Sequence, residues 1–312
     1  MFTLKQIRAF QAVARHGGVA QAARVLNASA AAVAANIDNL EAVTGLRLFD
    51  RKPARGMALS SEGRQFKLGA QRLAAAADDV ATLASSLRLG EQFEIRFGCY
   101  HTFAPIFAPA LLSTVKSMAE GARFTLTEAP RSALLRALDE GEIDVALMYD
   151  LHVDRAKYVA DRVVGAQPRA ILAKSHPLAQ HVSLNPLDLA PYPFVEFREE
   201  EDDSGFGEFL TAANVAPKVA LSSRSYEVVR SVVGAGDGYA ILAFQPKLMT
   251  SYQGDDLVAV PFNGEVRTYG VSLVRSRNRQ ATKTLETFLR LCADVVQGLA
   301  QDSLGLPPSV RG

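Results

Sequence analysis

The chain has 312 residues, 48% of them hydrophobic, so it is long enough to form several cores rather than one. Two cysteines, Cys99 and Cys292, argue against a disulfide framework or a structural zinc site. The charged N terminus and the lack of any apolar run of roughly 18 residues argue against a secretory signal or a membrane span, so we expect a cytosolic protein. Net charge is +1, but residues 1–58 alone carry +5 (eight Lys and Arg, three Asp and Glu), a balance that suits a polyanion such as DNA or a membrane surface.

The first 40 residues predict three helices. Apolar residues at helical spacing begin at Leu4 and stop at Gly17-Gly18, and residues 19–26 predict a short second helix. Ser29 can cap a third helix. The predicted buried stripe of that helix is Val33, Ile37 and Leu40. Two short helices, a tight turn and a third helix with one buried stripe are typical of a helix-turn-helix, whose last helix enters the major groove.

Residues 45–59 predict a strand, a basic turn and a second strand, which together form a wing. Arg51, Lys52 and Arg55 lie at its predicted tip, where they could reach phosphates or a minor groove.

The head as a whole resembles the DNA-binding segment of LysR-type regulators. The matching residues are Ala22, Ala23, Leu26, Ser29, Ala32, Val33, Ile37, Leu40, Glu41, Gly45, Leu48, Phe49 and Arg51, all in register. The resemblance implies a winged helix-turn-helix that binds double-stranded DNA. The alternative is a helical oligomerisation domain that never touches DNA.

The third helix departs from the family pattern. The family usually has Gln-Pro after the capping serine and a second serine further on, where this chain has Ala30, Ala31 and Ala34. Methyl groups can touch thymine methyls but read no donors or acceptors, which leaves Asn36 and Asn39 as polar readers. We therefore expect weak base discrimination and a steep salt dependence. The predicted DNA-binding residues are Gln21, Arg24, Ser29, Ala30, Ala31, Ala32, Ala34, Ala35, Asn36, Asn39, Arg51, Lys52 and Arg55.

Residues 60–90 predict a linker helix. Its heptad stripe is Phe66, Leu73, Val80 and Leu87, with Ala70, Ala77 and Ala84 between. This pattern favours a dimerising coiled coil, and the alternative is an amphipathic helix that lies on its own domain. A two-fold pair of heads would meet an interrupted palindrome with half-sites spaced by whole turns of about 34 to 36 Å.

Beyond residue 90, strands alternate with helices in two series, which predicts two doubly wound α/β lobes. The first series covers strands 93–99, 123–128 and 144–149 with helices 106–118 and 132–140. The second covers strands 169–173, 194–197, 219–222 and 239–243 with helices from 205 and 225. The chain then returns to the first lobe with a strand at 267–274 and a helix at 282–299. This part resembles the effector domain of the same family, itself similar to periplasmic solute-binding proteins, and His176-Pro177-Leu178-Ala179 after a strand is a frequent mark of it.

The predicted organisation has five parts. They are the DNA-binding domain at 1–59, the linker helix at 60–90, effector lobe I at 91–164 plus 267–302, effector lobe II at 165–266, and a tail at 303–312.

Ligands of open α/β sheets bind beyond the carboxyl ends of the strands, near helix N termini. The predicted effector-binding residues in those loops are Cys99, Tyr100, His101, Thr102, Arg131, Ser132, Tyr149, Phe197, Arg198, Ser223, Arg224, Ser225 and Phe244, with Asp150 and Gln245 beside them. Hydroxyls and guanidiniums favour a small carboxylate or another anion.

Each of these residues also has a simpler interpretation. Thr102, Ser132 and Ser225 could cap helices, and Arg131 and Arg224 could be solvated charges. Cys99 could be a small buried residue rather than a redox sensor, and His101 a polar loop residue rather than a pH-sensitive contact. The acidic run 199–203 could be a solvated loop rather than a metal site.

No catalytic motif is present: the glycines at 234–238 follow a predicted helix and lack phosphate-loop spacing, and the five histidines form no pattern of a triad or metal site. The sequence therefore predicts a transcription regulator without cofactor or enzymatic activity. The expected partners are DNA, a small-molecule effector, RNA polymerase and, by the resemblance, further copies of the chain in a dimer and a tetramer. A solute-binding module without gene control would predict an export signal and no basic head, and both expectations fail. One rival remains, a regulator that has lost specific DNA binding.

Overall fold

The computed structural model describes residues 1–52, 56–89, 93–198 and 206–304. They form two compact units. One contains Met1–Phe93 with the short pieces Asp139–Glu142 and Asn278–Gln280, and the other contains the remainder.

The first unit is a winged helix-turn-helix followed by a long helix, as predicted. Its elements are α1 (Leu4–His16), α2 (Val19–Val25), α3 (Ala30–Thr44), β1 (Phe49–Lys52), β2 (Gly56–Leu59) and α4 (Ser61–Leu89).

Local chemistry sets the ends of the first three helices. The Thr3 hydroxyl and the Gln6 amide form a capping box at the start of α1, and Gly17 ends that helix in the left-handed region with φ 71°. The Ser29 hydroxyl accepts the Ala32 N–H (3.1 Å) at the start of α3, and Gly45 ends α3 with φ 68°. The expected cap of the third helix is therefore confirmed.

One apolar core joins these helices to the wing and to the start of α4. The buried stripe of α3 is Val33, Ile37 and Leu40, as predicted, and it packs with side chains of α1 and with Leu48 and Phe49. The Phe10 ring lies 5.3 Å from that of Phe49 and 5.2 Å from that of Phe66 on α4. The position of α3 is thus fixed on one side by burial.

Two polar contacts attach the wing to the helices. The Glu41 carboxylate on α3 accepts the N–H groups of Leu48 (2.6 Å) and Phe49 (3.0 Å), and the Met57 N–H donates to the Gly17 carbonyl (2.9 Å). β1 and β2 pair antiparallel, with Phe49 opposite Leu59. Residues 53–55, which include Arg55, lie outside the described residues.

The heptad stripe of α4 divides into two parts. Phe66 and Ala70 pack on the core of the head, which is what the alternative interpretation of this helix predicts. Leu73 and Val80, further along, are 42% and 65% exposed in the single chain. The dimerisation expectation therefore concerns the second part of the stripe only.

The second unit begins with a five-stranded sheet. Its elements are β3 (Glu94–Tyr100), α5 (Ala104–Met118), β4 (Arg123–Ala129), α6 (Arg131–Glu140), β5 (Val145–Tyr149) and β6 (Tyr158–Ala166), with β12 (Tyr269–Ser276) and α9 (Lys283–Leu304) added from the end of the chain. The strand order is β4-β3-β5-β12-β6. β3 lies parallel to β4 and β5, whereas β12 lies antiparallel to β5 and β6.

A second group of strands follows β6. Its elements are β7 (Arg169–Ala173), a 3₁₀ turn (Pro186–Leu189), β8 (Pro193–Phe197), α7 (Gly207–Ala212), β9 (Lys218–Ser223), α8 (Tyr226–Gly234), β10 (Ala240–Leu242) and β11 (Leu257–Pro261). β7 pairs antiparallel with β10 and β11, and β8 pairs parallel with β9. A parallel bridge between Phe194 and Tyr239 lies between the three-stranded group β10-β7-β11 and the pair β8-β9. The α/β fold class is confirmed.

Several elements differ from the sequence-based expectation. Strands β6 (Tyr158–Ala166) and β11 (Leu257–Pro261) were not predicted. Helix α6 begins at Arg131, so Ser132 lies inside its first turn, and α5 begins after Phe103 without a side-chain cap. Of the three proposed capping residues in this domain, only Ser225 caps a helix: its hydroxyl accepts the Val228 N–H (3.4 Å).

Candidate nucleic-acid interface and effector cleft

The face of α3 opposite its buried stripe is open to solvent. Ala30, Ala31, Ala35 and Asn39 are exposed, whereas Ala32 and Ala34 are half-buried. Because residues 31, 35 and 39 lie about one turn apart, they form one continuous surface on the outer side of the helix. This surface has the shape that a major groove accepts and consists mostly of methyl groups.

Two of the expected polar contacts on α3 are engaged within the helix itself. The Ser29 hydroxyl holds the Ala32 N–H, and the Asn36 amide donates to the Ala32 carbonyl (2.8 Å). Asn36 was expected to read bases, but this bond occupies one of its two amide donors. An Asn side chain inside a helix can donate to the backbone carbonyl four residues earlier, which competes with contacts to DNA. Asn39 is therefore the clearest polar group on the outer face of α3.

Gln21 and Arg24 on α2 are exposed, so their side chains are available to phosphates. The backbone of Arg51 and Lys52 belongs to β1, and their side chains are not described.

The predicted effector residues of the first lobe lie at one edge of its sheet. The ring of Tyr100 is 5.4 Å from that of Tyr149, and Phe103, which sequence reasoning missed, is 4.8 Å from Tyr149. Arg131 reaches the same edge, where its guanidinium donates to the Leu151 carbonyl (2.8 Å).

Cys99 does not face this edge. Its side chain is fully buried in the first lobe. Burial, with smaller contributions from Cys292 and Glu128, holds the pKa of the Cys99 thiol well above its ordinary value, so the thiol stays protonated. This places Cys99 with the buried residues and corrects its expected role as an effector contact, because successive residues of a strand point to opposite faces.

Three of the predicted residues of the second lobe, Arg198, Ser223 and Ser225, make hydrogen bonds at the ends of β8 and β9. The buried Glu196 carboxylate accepts bonds from the Arg198 guanidinium (3.0 Å) and the Ser222 hydroxyl. The Ser223 hydroxyl accepts the Ser225 N–H (3.1 Å), and Arg224 is exposed. Arg198 therefore already has an anionic partner in Glu196, which sequence reasoning did not identify.

Aromatic rings connect the two lobes at these edges. Phe103 of the first lobe lies 4.8 Å from Phe244 of the second, and His101 lies 6.1 Å from Phe197. Tyr149 lies 6.0 Å from Phe206, another residue that was not predicted. The signal that could have identified Phe103 was its aromatic side chain in the short loop between β3 and α5. We call this set of loops the effector cleft.

The described residues offer neither a metal cluster nor a membrane span. Those residues contain no group of three or more His, Cys, Asp and Glu side chains placed to bind a metal ion. None of their helices combines the length and the hydropathy of a membrane-spanning segment. The run 199–203 lies outside the described residues.

Comparisons with known proteins agree with this architecture. Residues 4–64 match the model of the bacterial regulatory helix-turn-helix protein, lysR family, and residues 89–297 match the LysR substrate binding domain. The chain is 28% identical over 295 residues to the HTH-type transcriptional regulator ClcR of Pseudomonas putida, covering 92% of this chain and 97% of ClcR.

Solved structures give the same result. HinK, a LysR family transcriptional regulator from Pseudomonas aeruginosa, aligns with a TM-score of 0.62 at 25% identity over 94% of this chain and 98% of that one. A full-length OxyR variant from the same species aligns with a TM-score of 0.70 at 19% identity over 95% and 98%, which shows the shared fold. The chain belongs to the LysR family of DNA-binding transcriptional regulators and carries the substrate-binding domain of that family.

Proposed function

We propose that α3 lies in the major groove of an interrupted palindromic operator and that Gln21, Arg24 and the wing contact its phosphates. The observation that carries this proposal is the burial of Val33, Ile37 and Leu40, which leaves the opposite face of α3 exposed. Since that face offers few donors and acceptors, affinity depends mainly on phosphate contacts and DNA shape.

We further propose a cytoplasmic dimer formed through the exposed part of α4. Leu73 and Val80 are large apolar side chains on one side of a 29-residue helix, and a second copy of the helix would bury them. Side-by-side pairing of the effector domains would make a tetramer. The effector-bound and effector-free tetramers would bend the operator differently and so present different surfaces to RNA polymerase.

A small anionic effector in the cleft completes the proposal. The hydroxyls of Thr102, Ser223 and Ser225 and the exposed guanidinium of Arg224 support it, because they supply donors at the carboxyl edges of the strands. The effector changes DNA binding or bending only by binding two arrangements of the protein with different affinity.

Fluorescence anisotropy with the DNA upstream of the chain's own gene tests the DNA-binding role. We expect tighter binding to this fragment than to a scrambled duplex of equal length, with an affinity that falls steeply as salt rises. Arg24→Ala should weaken binding to both duplexes and reduce the salt slope by about one. Arg72→Ala removes an exposed positive charge from α4 and serves as the control, with unchanged binding.

Equal affinity for the two duplexes would favour the rival in which the alanine-rich helix has lost specific recognition. Binding that is insensitive to salt but abolished by single base changes would contradict the proposed dependence on phosphate contacts.

A further inference from the structure

The side chain of Gln245 is buried but incompletely hydrogen-bonded. It lies three residues beyond β10 and is 4% exposed. Its Oε1 lies 3.3 Å from the Tyr226 hydroxyl, whose single proton is shared between this oxygen and the Phe244 carbonyl. Its Nε2 has no hydrogen-bond partner among the described residues. A buried amide that lacks a partner is costly and uncommon in folded proteins, so a group that binds there would complete it.

Aromatic rings from both lobes pack against the two residues next to this amide, Phe244 in the chain and Tyr226 in space. Phe244, its chain neighbour, packs against Phe103 (4.8 Å) and Phe107 (5.7 Å) of the first lobe. Tyr226 packs edge-to-face with Phe197 at 5.9 Å. Rings in such arrangements interact best with another flat ring, in edge-to-face or offset contact.

Two polar side chains near Gln245, Tyr226 and Arg230, already make hydrogen bonds. The Tyr226 hydroxyl donates to the Phe244 carbonyl, and burial raises the pKa of Tyr226, so this group stays neutral. The buried Arg230 guanidinium donates to the carbonyls of Leu248 (3.1 Å) and Thr250 (2.8 Å). The Gln245 Nε2 and the Arg230 Nη1 are therefore the donors of this group that have no hydrogen-bond partner among the described residues. Of the two, the Gln245 amide is the one next to Phe244 and its ring contacts.

We propose that Gln245 determines effector specificity by donating a hydrogen bond to an sp² oxygen on a planar aromatic ligand, either a carboxylate or a carboxamide. The inference rests on the proposed effector cleft and narrows its ligand class. In this proposal the flat body of the ligand packs against the rings around Phe244 and Tyr226. The Gln245 amide donates a hydrogen bond to the ligand oxygen and so sets its position.

Isothermal titration calorimetry on the full chain tests this with four probes: benzoate, benzamide, cyclohexanecarboxylate and succinate. Benzoate or benzamide should bind, and whichever binds more tightly identifies the charged or the neutral oxygen. Cyclohexanecarboxylate, which has the same carboxylate on a puckered ring, should bind at least about ten-fold more weakly than benzoate if the charged form is preferred. Failure of both aromatic probes to bind overturns the inference.

Two variants test the residue. Gln245→Met keeps the shape of the side chain and removes the amide, so it should weaken binding of the aromatic probe on the order of ten- to a hundred-fold. Gln253→Met, at an exposed position of the same lobe, should leave binding unchanged. Because the buried N–H lacks a partner without ligand, Gln245→Met should match or exceed the unliganded melting temperature of the native protein. If Gln245 had a purely structural role, Gln245→Met would lower the melting temperature of the unliganded protein.

If Gln245→Met does not fold, Gln245→Glu provides the second test, since it replaces the donor with a carboxylate and should weaken benzoate binding more than benzamide binding. Unchanged affinity in a folded variant overturns the inference. Binding of succinate without binding of the aromatic probes would overturn it while leaving the proposed cleft intact. The proposed DNA-binding role is judged separately, by anisotropy on the same samples.

Discussion

Gly63, in the first turn of α4, lies against the backbone of the segment that leads into the wing. A Cβ atom at this position would be 2.0 Å from the Leu48 carbonyl oxygen and 3.0 Å from its carbon. Real contacts of this kind are not shorter than about 3 Å, so Gly63→Ala must move α4 away from Leu48 by about 1 Å. The obstacle is backbone, which cannot rotate out of the way.

The displacement would break a compact set of hydrogen bonds around Ser60. The Ser60 N–H donates to the Leu48 carbonyl (3.0 Å), and its buried hydroxyl donates to the Arg47 carbonyl (2.5 Å) and accepts the Gly63 N–H (2.9 Å). Overpacking costs about 1–3 kcal/mol and each lost bond about 1 kcal/mol, against a gain of about 1 kcal/mol in helix propensity. We therefore expect Gly63→Ala to destabilise the head by about 3 kcal/mol.

Gly69 lies in the same helix and provides a matched control. A Cβ atom there would have no neighbour within 4 Å, so Gly69→Ala should be neutral or stabilise α4 by up to about 1 kcal/mol. Hydrogen exchange followed by mass spectrometry on the full chain measures both. Amides of α1 and α3 should exchange about a hundred-fold faster in Gly63→Ala, while amides of β5 in the second unit stay unchanged. Native exchange rates in the head of a folded Gly63→Ala protein would refute the reasoning.

Three further substitutions have defined outcomes. Ser29→Ala removes the cap of α3 and should cost about 1 kcal/mol, seen as faster exchange of α3 amides and weaker DNA binding in the full chain, whereas Ser29→Asp should retain the cap. Asp144→Ala removes the carboxylate that accepts hydrogen bonds from the backbone N–H (3.0 Å) and the guanidinium of Arg96. It should destabilise the first lobe by about 2 kcal/mol, measured by thermal melts in far-UV circular dichroism. An unchanged melting temperature would contradict that role. Burial lowers the pKa of His176 below its ordinary value of 6.5, and its neutral ring accepts the Leu178 N–H at Nδ1 (3.2 Å). The neutral ring therefore stabilises the fold above pH 6.5. This contribution to the free energy of unfolding is lost as pH falls through the lowered pKa. His176→Asn should flatten that part of the pH–stability profile, and a profile identical to that of the native protein would contradict this assignment.

Much of the head could be predicted from local signals. Gly17 ends α1 and Ser29 begins α3, because the left-handed conformation and the side-chain cap depend on the residue itself. The stripe of Val33, Ile37 and Leu40 is readable because a helix repeats every 3.6 residues. These features predicted the head correctly, and the resemblance to the LysR family was confirmed by the comparison.

The effector cleft was predictable only as a set of loops. The rule that ligands bind beyond the carboxyl ends of strands placed Tyr100, Tyr149 and Phe244 in one region. It could not reveal that Glu196 pairs with Arg198, because those side chains meet only once β8 is in place. The same holds for Cys99, whose burial depends on which face of β3 is covered.

The sequence by itself determined the three helices and the wing of the head, the Ser29 cap and the family, because each depends on residues close together in the chain. Tertiary structure decided what contacts in space determine: that Phe66 packs on the head while Val80 stays exposed, that the Asn36 amide bonds to its own helix, and that the Gln245 amide is buried without a partner for its nitrogen among the described residues. Whether a polar atom finds a partner depends on side chains brought together from distant segments, and local pattern carries no information about them.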